Sequence, residues 1–225
     1  MKINVVKSVL DASDAMANVN RRRMDAVGLT CINILSAPGS GKTTLLEKSL
    51  PLLPAGVRTA VLVGDLQTTR DADRLEHSAA QVVQINTGSG CHLSPSQIEQ
   101  GLNALDLTAV DYLFIENVGN MVCPAAFDLG EHRRAVLLSV PEGDDKVAKY
   151  PTLFQKADVI LLTKIDLAEL LEYNFDRVHD DLSRINTAAP VLRLSMRSGE
   201  GLDAWLNWLI AQRPHVGPQG PAKCP

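Results

Sequence analysis

Ser36-Ala37-Pro38-Gly39-Ser40-Gly41-Lys42-Thr43-Thr44 follows an apolar run and opens a stretch of helical character. A strand, a glycine-rich turn and a helix start, in that order, make a cradle for phosphate. The glycines let consecutive backbone N–H groups curl around an anion, and the helix N-terminus adds partial positive charge. Lys42 reaches the β- and γ-phosphates, and Thr43 offers its hydroxyl to Mg²⁺. Gly39, Ser40, Gly41 and Thr44 complete the binding segment. Ser36 stands where the usual pattern has its first glycine, a turning position that serine can fill.

Outward from this loop, aliphatic and β-branched runs alternate with helical stretches. Strands are expected at 31–36, 59–63, 81–85, 112–116, 135–140, 159–163 and 191–195. Helices are expected at 42–53, 69–79, 95–105, 151–156, 176–186 and 202–211. Such alternation implies βαβ units. Several runs are apolar throughout, as befits strands covered on both sides. The fold class expected is α/β: a P-loop NTPase with a mostly parallel central sheet and helices on both faces. The first 29 residues read as a polar helical extension, with Val5, Val6, Val9, Met16 and Val19 as its apolar stripe. Arg21, Arg22 and Arg23 read as its solvated, dipole-matched end.

The 225 residues are 45% hydrophobic and 21% charged, within the globular range, so a mostly disordered chain is excluded. Aromatics are only 4%, so the core must be aliphatic. The net charge of −4 comes without a basic stripe, which argues against nucleic acid as a partner. No apolar run is long enough to span a membrane, and the N-terminus lacks a secretory apolar region. Four cysteines are too sparse for a disulfide scaffold and suit a reduced, cytoplasmic setting.

Asp65 and Glu116 close two of the expected strands. Strand ends beside a phosphate loop face the phosphates, so either carboxylate could hold Mg²⁺ directly or through water. Thr163-Lys164-Ile165-Asp166 follows another apolar strand and is similar to the guanine-reading Asn-Lys-x-Asp element of GTPases. Guanine presents two adjacent N–H donors that Asp166 can accept together, whereas adenine would leave that carboxylate unpaired. Lys164 can lay its stem over the base. Ser195 matches the further loop that closes over the base edge. GTP is therefore expected over ATP.

Cys91-His92 lies in a glycine-rich loop, and Cys123 follows within Glu116–Pro124. Thiolate and imidazole select Ni²⁺ or Zn²⁺ over Mg²⁺. Residue chemistry alone leaves two readings, metal ligands or structural cysteines. Three ligands are one short of a closed tetrahedral site, and a two-fold dimer could supply more.

Together these segments resemble the HypB GTPases, which help insert nickel into [NiFe]-hydrogenase. The resemblance runs from about residue 18 to residue 210 and includes Gly64-Asp-Leu-Gln-Thr-Thr-Arg-Asp-Ala-Asp-Arg74, Gly90-Cys-His-Leu93, Phe127-Asp-Leu-Gly-Glu131 and Pro141-Glu-Gly-Asp-Asp-Lys146. Glu116-Asn-Val-Gly-Asn-Met-Val-Cys-Pro124 is its most specific string. It implies that Cys91, His92 and Cys123 ligate nickel or zinc. It also implies a homodimer favoured by GTP, with that site at the interface, and as partners other hydrogenase-maturation proteins and the hydrogenase large subunit. Two departures stand out. The His-rich or Cys-rich N-terminal nickel motif of many members is missing, and Ser94 replaces the usual Asp after Cys-His-Leu.

Patterning and composition divide the chain into the extension, a GTPase domain over residues 30–212, and a Pro/Gly-rich tail over 213–225, expected to be disordered, that carries His215 and Cys224. Glu116 and Gly119 fall where a GTPase senses the γ-phosphate, with Cys123 four residues beyond Gly119. Nucleotide state should therefore displace a metal ligand. Lys42, Thr43, Asp65, Glu116 and Gly119 are the expected catalytic set. No arginine finger or water-positioning glutamine is assigned, since nothing selects Gln67 or Arg70, and hydrolysis is expected to be slow. Three further readings differ in the cargo or the nucleotide: nickel delivery to another enzyme such as urease, a metal-independent regulatory GTPase, and an ATP-dependent kinase.

Overall fold

A computed structural model describes residues 5–65, 70–88 and 90–212, with side chains from residue 11 onward. Seven described strands form one sheet: β1 (Thr30–Leu35), β2 (Thr59–Asp65), β3 (Gln81–Asn86), β4 (Tyr112–Glu116), β5 (Arg133–Ser139), β6 (Val159–Thr163) and β7 (Val191–Leu194). Their order is β3-β2-β4-β1-β5-β6-β7, and every pairing is parallel. The register sets Glu116 level with Ile34 of β1 and Val63 of β2, so the carboxyl ends of these strands share one rim.

Side chains alternate along each strand between two helical layers. Ile32, Ile34, Phe114, Leu137 and Leu161 face α2 (Lys42–Ser49), α3 (Arg70–Leu75) and α9 (Leu202–Ala211), where Leu45, Leu75 and Trp205 are buried. Cys31, Leu62, Leu113 and Ile115 face α1 (Val5–Val27) and α4 (Pro95–Asn103). Leu35, Val136, Leu138 and Leu162 pack under α5 (Cys123–Ala126), α6 (Lys146–Lys149), α7 (Pro151–Gln155) and α8 (Phe175–Ile185). The strands are apolar on both sides because both sides are covered.

Strand positions agree with expectation to within about two residues, and helices differ more at their ends. The helix expected over 42–53 stops at Ser49 and tightens into a 3-10 turn, Leu50–Leu52, because Pro51 has no N–H to donate. The short helices α5 and α6 were not expected.

The N-terminal helix needs correction. Its core face is Ala17, Asn20 and Met24, all buried, rather than the stripe through Met16 and Val19. Asn20 donates to Pro95 O at 2.8 Å and Leu129 O at 3.2 Å. A Cβ on Gly130 would stand 2.5 Å from Ala17 O, so the helix backbone lies directly on that turn. Nor is Arg21 simply solvated: its guanidinium pairs with Asp128 at 2.7 Å, which holds its pKa above the ordinary value. Val5, Val6 and Val9 of the stripe, and the tail with His215 and Cys224, lie outside the described side chains. Among the described residues no helix is long and apolar enough to cross a membrane.

Candidate functional site

β1 hands the chain to the glycine-rich turn, and α2 starts at Lys42. Gly39 and Gly41 take φ of +73° and +101°, a left-handed conformation that side chains resist. The cleft above them encloses about 380 Å³, and Lys42, Thr43, Asp65, Glu116 and Gly119 all line it. Lys42 Nζ donates to Ser36 Oγ at 3.2 Å, so the serine in place of glycine has a partner inside the loop. Burial lowers the Lys42 pKa, against the pull of Glu116.

Thr43 Oγ1 donates to Glu116 Oε1 at 2.6 Å, while Glu116 Oε2 is buried without a hydrogen-bond partner. Burial raises the Glu116 pKa from 4.5 to about 7, only partly offset by Thr43 and Lys42. A carboxylate with one oxygen so placed fits a cation better than it fits an empty cleft. Asp65 stands at the tip of β2, where its carbonyl accepts from Thr87 N at 2.9 Å.

Three residues of this rim escaped the sequence reading. Asp71 and Arg74 also line the cleft, one turn apart on α3. Arg74 Nη2 donates to Thr44 Oγ1 at 3.0 Å and pairs with Glu47. Their i, i+3 spacing was the available signal, and it is Arg74 rather than Arg70 that lines the cleft. Gln67 lies outside the described residues. Glu142 accepts from Ser40 Oγ at 2.6 Å and from Ser139 N at 3.0 Å, bracing the loop from the end of β5.

Beside the phosphate cleft a second hollow of about 430 Å³ is lined by Thr163, Lys164, Asp166 and Arg197, among others. Lys164 takes φ of +58° and its Nζ donates to Gly39 O at 2.7 Å. Thr163 Oγ1 donates to Ser40 O at 2.8 Å, so the threonine in place of asparagine ties this element to the phosphate loop. Ser195 Oγ donates to Asp166 Oδ1 at 2.6 Å and holds the carboxylate in place.

Gly119 lies flush on the loop: a Cβ there would meet Pro38 Cα at 2.7 Å. Asn120 N donates to Ser36 O at 2.8 Å, and its side-chain oxygen accepts from Val122 N and Cys123 N. Cys123 thereby opens α5 toward the loop that carries Cys91 and His92. The ligand atoms of Cys91, His92 and Cys123 all lie within 4.8 Å of one another. His92 stacks on Phe127 with centroids 4.2 Å apart, and burial lowers its pKa, favouring the neutral, ligating imidazole. The neighbouring Cys91 thiol pushes the Cys123 pKa up. Ser94 caps α4, its hydroxyl accepting from Gln97 N, and that is a task Asp performs equally well.

Residues 30–193 match the CobW/HypB/UreG nucleotide-binding domain. The hydrogenase maturation factor HypB of Azotobacter chroococcum mcd 1 is 44% identical over 211 residues, 94% of this chain and 69% of the relative. The crystal structure of HypB from Helicobacter pylori in complex with nickel aligns with a TM-score of 0.86 at 40% identity, covering 90% of this chain and 95% of that one. That of HypB from Archaeoglobus fulgidus aligns with a TM-score of 0.84 at 35% identity, covering 90% and 98%.

Proposed function

The chain belongs to the CobW/HypB/UreG nucleotide-binding family, among its HypB hydrogenase maturation factors, and from that premise we propose how its residues join GTP hydrolysis to nickel delivery. It is a GTPase. Lys42 and the N–H groups of the glycine-rich turn hold the β- and γ-phosphates, while Asp166, steadied by Ser195, accepts the two N–H groups of guanine. Thr43, Asp65 and Glu116 would hold Mg²⁺, and the unpartnered Glu116 Oε2 supports that reading. Bound there, Mg²⁺ neutralises the charge that develops on the transferred phosphoryl group. Hydrolysis by one chain is slow, because Arg74 is engaged by Glu47 and Thr44 rather than free for the γ-phosphate.

Cys91, His92 and Cys123 receive nickel as cargo. Zn²⁺ suits the same soft ligands and is the competing occupant. Three ligands leave the site open, so a homodimer favoured by GTP closes it with ligands from a second copy. The protein works in the cytoplasm, with other maturation proteins and the hydrogenase large subunit as partners. Residues 1–29 and the tail over 213–225 flank its GTPase domain of residues 30–212.

One observation carries the coupling. Gly119 rests on Pro38 of the phosphate loop, and Cys123 follows four residues later. Whatever the γ-phosphate does to this segment reaches a metal ligand through a single short turn. Linkage then requires metal to alter nucleotide affinity in return. The test is a nickel titration of wild type and Cys123→Ala, each with GDP and with a non-hydrolysable GTP analogue, with light scattering on the same samples. The expected result is about one nickel per dimer in wild type, nucleotide-dependent affinity, and loss of both in the variant. Nucleotide binding without nickel uptake in either protein would make the cysteines structural. Tighter uptake of zinc than of nickel in both nucleotide states would give the site a different cargo.

A further inference from the structure

Asn117 follows Glu116 at the end of β4 and is buried, as are Asn33 of β1 and Glu131 before β5. These three polar side chains run through a largely apolar part of the sheet as one chain of hydrogen bonds. Glu131 accepts on both oxygens, from Arg134 Nε at 2.6 Å and from Leu129 N at 2.7 Å. Asn33 Nδ2 donates to the same Oε1 at 3.3 Å, so Asn33 Oδ1 must turn the other way, where Asn117 Nδ2 donates to it at 3.3 Å. An amide with its N–H₂ so committed has its oxygen direction decided. Asn117 Oδ1 therefore faces the rim, where it accepts from Val118 N at 2.9 Å and from Leu93 N at 3.2 Å.

Those two donors belong to different segments of the rim. Val118 precedes Gly119, which rests on the phosphate loop. Leu93 follows Cys91-His92, and its buried side chain sits where a Cβ on Gly64 would come within 2.7 Å. A buried polar chain in an aliphatic core is costly unless its geometry is satisfied. A leucine at either asparagine would fill the same space without it.

Building on the nickel-coupling reading above, we propose that Asn117 is the positioning residue through which nucleotide state reaches the Cys91-His92 half of the metal site, with Asn33 and Glu131 setting the polarity of its amide. The Cys123 half moves with its own backbone, whereas the backbone of the Cys91-His92 half is tied to that segment through this stitch, beside the side-chain stack of His92 on Phe127. When the segment from Val118 shifts, the shared acceptor shifts with it, and the Leu93 amide is drawn along or released.

The test uses the full chain and Asn33→Leu, since Asn33 lies behind the rim and lines neither hollow. Nickel affinity is titrated with GDP and with a non-hydrolysable GTP analogue, and GTP hydrolysis is measured beside it. In Asn33→Leu the ratio of the two affinities should fall to within about twofold of one, with hydrolysis held within about threefold of wild type. A merely structural asparagine would lower stability and leave that ratio alone. Hydrogen exchange of the Leu93 amide in labelled wild type supplies a reading that needs no variant, and it should differ at least about tenfold between the two nucleotide states. A folded Asn33→Leu that keeps the wild-type ratio overturns the proposal, and so does a Leu93 amide that exchanges alike in both states. A wild-type ratio of one would instead overturn the coupling reading itself.

Discussion

Lys42 and Glu116 are buried at the sheet rim, where Lys42 Nζ bonds to Ser36 and Glu116 Oε1 to Thr43; Cys91, His92 and Cys123, on the same rim, are half-buried, and the adjacent pair Cys91-His92 meets Cys123 from a separate segment. The phosphate cleft rests on one contiguous turn, braced from beneath by Ser36 and from the side by Glu142. The thiol and imidazole cluster is drawn from two segments and held by backbone bonds to Asn117 and Asn120 and by a ring stack on Phe127. A site that must grip a highly charged ligand in a fixed attitude is built from buried groups braced by their neighbours. A site that must surrender its ion is attached by few bonds and can open at small cost.

The contrast breaks most visibly at Lys42. Lys42→Ala should lower kcat/KM for GTP by at least about a thousandfold, while nickel affinity without nucleotide stays within about threefold. Parallel loss of nickel binding would mean that the two regions are not separately built. Glu116→Gln comes next, read as stability of the nucleotide-free protein in denaturant. Burial favours the protonated Glu116, so the stability it contributes is complete below its ordinary value of 4.5 and is lost as pH rises through about 7. Glutamine stays neutral, so the variant should match wild type at pH 4 and exceed it by about 2–3 kcal/mol at pH 8. A difference that does not vary with pH would show that the carboxylate is not the buried weak point of the cleft.

Gly119→Ala probes the seam between the two regions. Its Cβ would press on Pro38 backbone at 2.7 Å, so the segment must move, at about 2 kcal/mol. GTP affinity should fall about tenfold or more, and the nickel response to nucleotide should shrink with it. Unchanged nickel response would detach Cys123 from the phosphate loop. The smallest effect is Ser195→Ala, which frees Asp166 from a 2.6 Å hydrogen bond. GTP and GDP affinity should fall alike, by about fivefold, with nickel uptake untouched in equilibrium dialysis.

The phosphate loop was legible because its chemistry is contiguous, and the strands because runs buried on both faces are mostly apolar. The Thr163–Asp166 element proposed to read guanine was legible for the same reason, being four contiguous residues at the end of an apolar strand. Residue type singled out Cys91, His92 and Cys123, but their convergence depends on β3 and β4 ending on one rim with β2 between them. Asp71, Arg74 and Glu142 carried no local signal beyond helical spacing or a Ser-x-x-Glu turn. The face of α1 was misread because an asparagine, Asn20, sits on its buried side, and only the carbonyls of Pro95 and Leu129 make that placement acceptable.

By itself, then, the order of residues determined an α/β chain with a glycine-rich turn of nucleotide-binding type, the Thr163–Asp166 element proposed to read guanine, and the soft side chains proposed to ligate metal. Each of these depends on neighbours a few positions apart, where backbone geometry and side-chain chemistry act locally. The tertiary structure alone decided that Asp71 joins Asp65 and Glu116 in the cleft, how Cys91, His92 and Cys123 meet, and which way the Asn117 amide points. Those outcomes follow from parallel strands that set distant residues side by side, and from burial, which obliges every polar group to find a partner wherever the fold supplies one.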